Sequence, residues 1–196
     1  MFNIGDKVVY PMHGAGIIEG IEEKSVLGEK QNYYIIKMPG EVKVMVPTAK
    51  AADVGVRDII DSNATSKVFK VLESSTAEIE MNWNKRYRDN MEKMKSGDIY
   101  EVADVVRSLS FKQKEKGLST GEKKMLLNAK QILVSELTLA ENSKKEEIEE
   151  MVNSKIDLSF IEYNKSGLGG NVETAGKAIK KFISFDSVGG TSEDIE

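Results

Sequence analysis

Apolar positions follow strand spacing in the first fifty residues and helix spacing from about residue 82 onward. Val8, Val9 and Tyr10 form an apolar run that stops at Pro11. Gly14-Ala15-Gly16 then reads as a tight turn, because glycine accepts positive φ. Ile17, Ile18 and Ile21 open a second strand that runs into Glu22–Lys24, and Gly28-Glu29-Lys30 fits a hairpin connection. Tyr33–Met38 is a third strand, rich in aromatic and β-branched residues. After Pro39-Gly40, Val42, Val44 and Val46 alternate with Lys43 and Met45, as in a half-buried strand. So many short strands in so little chain imply a small barrel or a strongly bent sheet.

The period changes near Ala49. Val54, Val56, Ile59 and Ile60 predict a short helix or turn, Ser66–Leu72 a helix, and Glu73–Met81 a linker. A helix beginning at Trp83 ends at Gly97. Asp98-Ile99-Tyr100-Glu101 and Ser119-Thr120-Gly121-Glu122 both fit capping boxes. Ile99, Val102, Ala103, Val106 and Leu109 line one helix face up to a stop at Gly117. Met125, Ala129, Ile132, Leu133, Leu137 and Ala140 line the next, and Ser143–Glu146 starts a helix to about Lys155. Glycines at 167, 169, 170, 176, 189 and 190 interrupt the end of the chain, where Ala175–Ile183 alone suits a short amphipathic helix. The expected fold is α+β with two domains, a small β-barrel followed by an all-α helical bundle. The parts are 1–60, a helix and linker over 61–81, a helical domain over 82–156, and a poorly ordered tail over 157–196.

Composition narrows the chemistry. The chain has no Cys and one His, which excludes a disulfide framework, a thiolate metal site, a cysteine nucleophile and any multi-histidine metal centre. MFNIGDKVVY lacks the basic end and long apolar stretch of a signal peptide, and no apolar run is long enough to span a membrane. A soluble cytoplasmic protein without a membrane partner is expected. Glu146, Glu147, Glu149 and Glu150 read as a solvated helix face, because no Gly-turn calcium loop accompanies them. Gly14-Ala15-Gly16 and Gly167-Leu168-Gly169-Gly170 lack the rest of a phosphate-binding loop, and His13 has no orienting partner in the sequence. No enzyme activity, cofactor or metal is expected.

Charge is uneven. Residues 83–132 carry 12 basic and 7 acidic side chains, a balance of +5, between acidic flanks of −3 and −6. Asn82-Trp83-Asn84-Lys85-Arg86-Tyr87-Arg88 places the only Trp among three cations. Two readings follow. The Trp anchors a junction between domains, or it meets nucleic acid, with the cations on phosphates and the flat ring in a widened minor groove or on an unstacked base step. Further cations at Lys93, Lys95, Arg107, Lys112, Lys114, Lys116, Lys123, Lys124 and Lys130 extend the basic block. In the β-rich part, Lys24, Lys43 and Met45 either flank a sheet edge open to a partner strand or belong to ordinary surface.

Several stretches together resemble one family. GDKVVYPMHGAGII (5–18), VPTAKAADVGVRDII (46–60), NWNKRYRDNMEKMKSGDIYEVADVVRSL (82–109) and GLSTGEKKMLLNAKQILVSELTLAE (117–141) are similar to CarD/CdnL-type bacterial transcription regulators, and cover about residues 1–150. The resemblance implies a Tudor-like domain that binds the RNA polymerase β subunit, partly through strand pairing, and a helical domain on promoter DNA. The first domain is also related to one in transcription-repair coupling factors, but no helicase motif is present. It implies that Trp83 wedges into the minor groove at the upstream edge of the transcription bubble, with Lys85, Arg86 and Arg88 on the backbone. Lys24, Lys43 and Met45 match the polymerase contact, where family members often carry two arginines at the positions of Lys24 and Met45. Lys24 keeps the charge without the bidentate fork and Met45 keeps neither. The implied protein is a monomer that stabilises the open promoter complex. The alternative is an interaction adaptor with no DNA contact.

Overall fold

A computed structural model describes residues 1–26, 28–75 and 82–166. Five strands, β1 (Lys7–Tyr10), β2 (Gly14–Val26), β3 (Glu29–Lys37), β4 (Lys43–Pro47) and β5 (Arg57–Asp58), precede five helices. The helices are α1 (Ser62–Glu73), α2 (Trp83–Ser96), α3 (Ile99–Glu115), α4 (Thr120–Glu141) and α5 (Lys145–Lys165). The strands form one antiparallel sheet in the order β4-β3-β2-β1-β5, which leaves β4 and β5 as its edges. Val8, Ile18, Tyr34, Ile36, Met38, Val46, Ala51 and Val56 meet in one apolar cluster. Residues from four strands and the turn beyond them share that core, as a bent, Tudor-like sheet requires.

The chain reverses over Pro11–His13, and not at Gly14-Ala15-Gly16 as the sequence suggests. Met12 takes the positive φ, 68°, and Gly14 and Gly16 lie inside β2. Their small size serves close approach. A Cβ on Gly14 would stand 2.6 Å from Ser135 Oγ, and one on Gly16 would stand 2.5 Å from the Lys37 carbonyl oxygen. The short helix or turn expected over Val54–Ile60 is a turn followed by β5, where Val9 pairs with Arg57 and Val8 with Asp58.

The helices pack round α3, whose Val102, Ala103, Val105, Val106, Leu109 and Phe111 are all buried. α1 joins this core through Val68 and Leu72. Its last carbonyls are capped from outside, since Arg107 Nη1 donates to Val71 O (3.2 Å) and Ser74 O (3.3 Å). Arg107 therefore closes a helix end and is not part of an exposed basic surface. Asp98 accepts from Tyr100 N at 2.8 Å, but of the two capping boxes expected at Asp98 and Ser119 the reciprocal bond forms at Ser119, with Glu122. α5 runs ten residues past its expected end at Lys155. Phe160 and Tyr163 are buried there against Phe111, so 157–165 is helix and not tail. The remainder of the expected tail and Ala175–Ile183 lie outside the described residues. No described helix is long and apolar enough to cross a membrane.

Sheet and helices are fastened together by polar contacts. Ala15 N donates to Ser135 Oγ at 2.8 Å and Lys7 Nζ to Leu139 O at 2.8 Å. Arg57 donates from Nη1 and Nη2 to the two oxygens of Glu136, at 2.7 and 2.9 Å, and from Nε and Nη2 to Gly97 O. Ile60 N also donates to Glu136, at 3.1 Å. Glu136 is 0% exposed, so its charge depends on these donors. Pro11 fits between Gly55 and Gly97, where a Cβ on either would stand 3.1 Å from its ring. We predict that Glu136→Ala lowers stability by about 3 kcal/mol, because it strips the Arg57 fork and the Ile60 amide of their acceptor. Urea unfolding of the full chain measures this.

Candidate nucleic-acid and partner interface

α2 begins where the sequence places it. Asn82 caps the helix by accepting from Lys85 N at 3.1 Å, and Trp83 is the first helical residue. At that position the indole extends beyond the helical core. It is 45% exposed, against Tyr87 with ring centroids 5.4 Å apart and planes at 25°. The Trp83 Nε1–H donates to Ser119 Oγ at 3.1 Å. Ser119 is the N-cap of α4, so the N-termini of α2 and α4 meet beside the indole. Both ends carry partial positive charge from their free amides.

Beneath the ring lies a buried ion pair. Arg86 Nε and Nη2 donate to Glu122 Oε1 at 2.8 and 2.6 Å. Glu122 Oε2 accepts from the Ser119 amide (3.0 Å), the Ser119 hydroxyl (2.8 Å) and Lys112 Nζ (3.4 Å). Glu122 is 1% exposed. Burial alone would raise its pKa, but the Ser119 amide, Arg86 and the Ser119 hydroxyl outweigh burial and hold it at about 2.

This arrangement divides the predicted DNA-contacting residues. Trp83, Lys85 and Arg88 are exposed on α2. Arg86 is 8% exposed and engaged with Glu122, so the expected phosphate contact at Arg86 is corrected to an internal ion pair. Lys93 and Lys114 pair with Asp104 and Asp157, at 2.6 and 2.5 Å. Exposed Lys116, Lys123 and Lys124 flank the α4 N-terminus, on the same end of the helical body as Trp83. Ser119, Glu122 and Tyr87 were not among the predicted site residues. The capping-box spacing marked Ser119 and Glu122 as a helix start, but nothing in it connected them to Trp83.

The other predicted surface lies on the sheet. By the ladder register Lys24 stands opposite Gln31, Met45 opposite Ile35 and Lys43 opposite Lys37. Positions 31, 35 and 37 of β3 share one side of the sheet because side chains alternate, so Lys24, Met45 and Lys43 share it too. They span about 20 Å along β3. Met45 and Lys43 lie on the edge strand, and Met45 is 52% exposed beside buried Ile35. Lys24 lies on the outer part of β2, paired with Glu22 at 2.9 Å. Lys43 meets Glu19 at 2.7 Å, and that hydrogen bond lowers the Glu19 carboxyl. No metal-binding cluster of His, Cys, Asp or Glu occurs among the described residues.

A small antiparallel sheet with an open edge is thus locked to a helical body that presents an indole among cations. Comparison with known proteins gives the family. Residues 2–60 match the CarD-like/TRCF RID domain, and residues 67–153 match the CarD C-terminal domain. "Putative transcription factor YdeB" of Bacillus subtilis (strain 168) is 47% identical over 138 residues, 70% of this chain and 90% of that protein. The chain belongs to the CarD family, as a CarD/CdnL-type transcription regulator.

The depressed Glu122 pKa has a consequence for acid stability. A carboxyl whose folded pKa is about 2, against an ordinary 4.5, stabilises the fold fully above 4.5 and loses that contribution as pH falls toward 2. The contribution is about 3 kcal/mol. Glu122→Gln is expected to be less stable at neutral pH and to lose less stability between pH 5 and 2 than wild type. Chemical unfolding across that range checks the difference in slope.

Proposed function

We propose that this chain binds the RNA polymerase β subunit through the outer face and β4 edge of its sheet, and holds Trp83 in the promoter minor groove at the upstream edge of the bubble. The observation that carries the reading is the half-exposed indole of Trp83, propped on Tyr87 and Ser119 at a cationic end of the molecule. Nearly half of the ring's surface is left in solvent, unused by the protein's own core. A duplex whose strands are parting offers an apolar, widened groove that such a ring fills. Lys85 and Arg88 supply phosphate contacts, which fix position without reading sequence.

Regulation follows from differential binding. The ring meets the open complex better than the closed one, and so slows collapse of the bubble by the difference in affinity. A stacked aromatic contributes about 1–3 kcal/mol, or about a five- to hundredfold longer open-complex lifetime. Docking on polymerase raises the effective concentration of the helical body at the DNA, so weak intrinsic DNA affinity suffices. Lys24, Lys43 and Met45 form the polymerase contact. Met45 contributes apolar packing there, in place of a charge.

Trp83→Ala is expected to leave polymerase binding unchanged and to shorten the open-complex lifetime by that factor in a promoter-melting assay. An unchanged lifetime removes the wedge. Lys24→Glu is expected to weaken retention on immobilised β subunit. Retention equal to wild type removes Lys24 from the contact.

A further inference from the structure

The indole of Trp83 is tethered at two points by different elements. Tyr87, one turn along α2, supports its face. Ser119, on α4, takes its only polar hydrogen at 3.1 Å. The Ser119 hydroxyl is fully used, as it accepts from Trp83 Nε1 and from Glu122 N (3.3 Å) and donates to Glu122 Oε2 (2.8 Å). It cannot rotate away from the indole without breaking the bond to a carboxylate that Arg86 holds in place.

A half-exposed Trp on the first residue of a helix has little packing to select a rotamer, and here only the Tyr87 face supplies any. Left untethered, it would sweep several staggered positions and would have to be ordered when it entered the groove. Ordering a rotor-rich side chain on binding weakens binding, and removing that freedom beforehand restores it. We infer that Ser119 is a positioning residue for the Trp83 wedge, pre-setting the indole in its inserted orientation through the Nε1–Oγ hydrogen bond. This rests on the wedge reading above.

The hydroxyl also caps α4, so the test must separate the two duties. Glycine is nearly as good an N-cap as serine, whereas it offers the indole no acceptor. Ser119→Gly is therefore expected to keep the α4 cap and the fold, at a modest fall in melting temperature from the lost hydroxyl donor to Glu122, while freeing the ring. Trp83 is the only Trp, so time-resolved fluorescence anisotropy of the full chain reports this ring alone. The variant should show a larger fast depolarisation than wild type, and about a two- to tenfold shorter open-complex lifetime. Ser119→Thr, which keeps the hydroxyl, should restore both. Trp83→Phe keeps a flat ring but has no Nε1–H, so adding Ser119→Gly to it should change the lifetime no further.

Unchanged anisotropy in Ser119→Gly overturns the tether. An equal effect of Ser119→Gly on lifetime in the Trp83 and Phe backgrounds also overturns it, by assigning the loss to α4. If Trp83→Ala shortens the lifetime and Ser119→Gly does not, this inference falls and the wedge stands. If Trp83→Ala has no effect, both fall.

Discussion

The side chain of Arg57 joins everything that matters here. From the edge strand β5 it donates to the carbonyl of Gly97, which ends α2, and to both oxygens of Glu136 on α4. The opposite ends of the same two helices carry Trp83 and Ser119. Arg57 thus grips α2 and α4 at one end, while the indole is held between them at the other. At 1.5 Å per residue the helices set a span of about 20–25 Å between grip and ring. In the function proposed above, such a fixed span lets the chain stand on one macromolecule and press on another, because slack between the surfaces would dissipate the binding difference.

The two buried carboxylates divide the work. Glu136 joins the sheet to the helical body, and Glu122 holds the frame under Trp83. Each is buried with arginine and amide donors, an arrangement that is costly to break and strongly directional. Cations serve the same ends. Arg86, Arg107, Lys93 and Lys114 look from the sequence like a basic footprint, yet all four have acidic partners. What faces outward near the ring is a smaller set, including Lys85, Arg88, Lys116, Lys123 and Lys124. In the function proposed above, that set is a footprint that holds DNA loosely and leaves residence time to the polymerase contact.

Periodicity and punctuation carried most of the fold. The strand alternation from Val8 to Val46 and the helix starts at Asn82, Asp98 and Ser119 are local signals, written in side chains that satisfy their own neighbourhood. The misreadings share a cause. Gly14 and Gly16 looked like turn residues because glycine is permissive, but they are small so that Ser135 and the Lys37 carbonyl can come close. α5 outruns its expected end because Phe160 and Tyr163 are buried by Phe111, a contact between distant parts of the chain. At the candidate site the sequence left Trp83 between a junction anchor and a nucleic-acid contact, and only the fold shows the ring 45% exposed. Its tether to Ser119 was not legible, because 36 residues separate the two. Nor was the withdrawal of Arg86 into the interior.

Contact between Trp83 and DNA is what the proposed function requires above all. A photoreactive benzoylphenylalanine at position 83 of the full chain, irradiated in a polymerase–promoter open complex, tests that contact. Crosslinks mapped to nucleotides at the upstream edge of the bubble are the predicted result. Crosslinks confined to polymerase or to the chain itself, with none on DNA, contradict it.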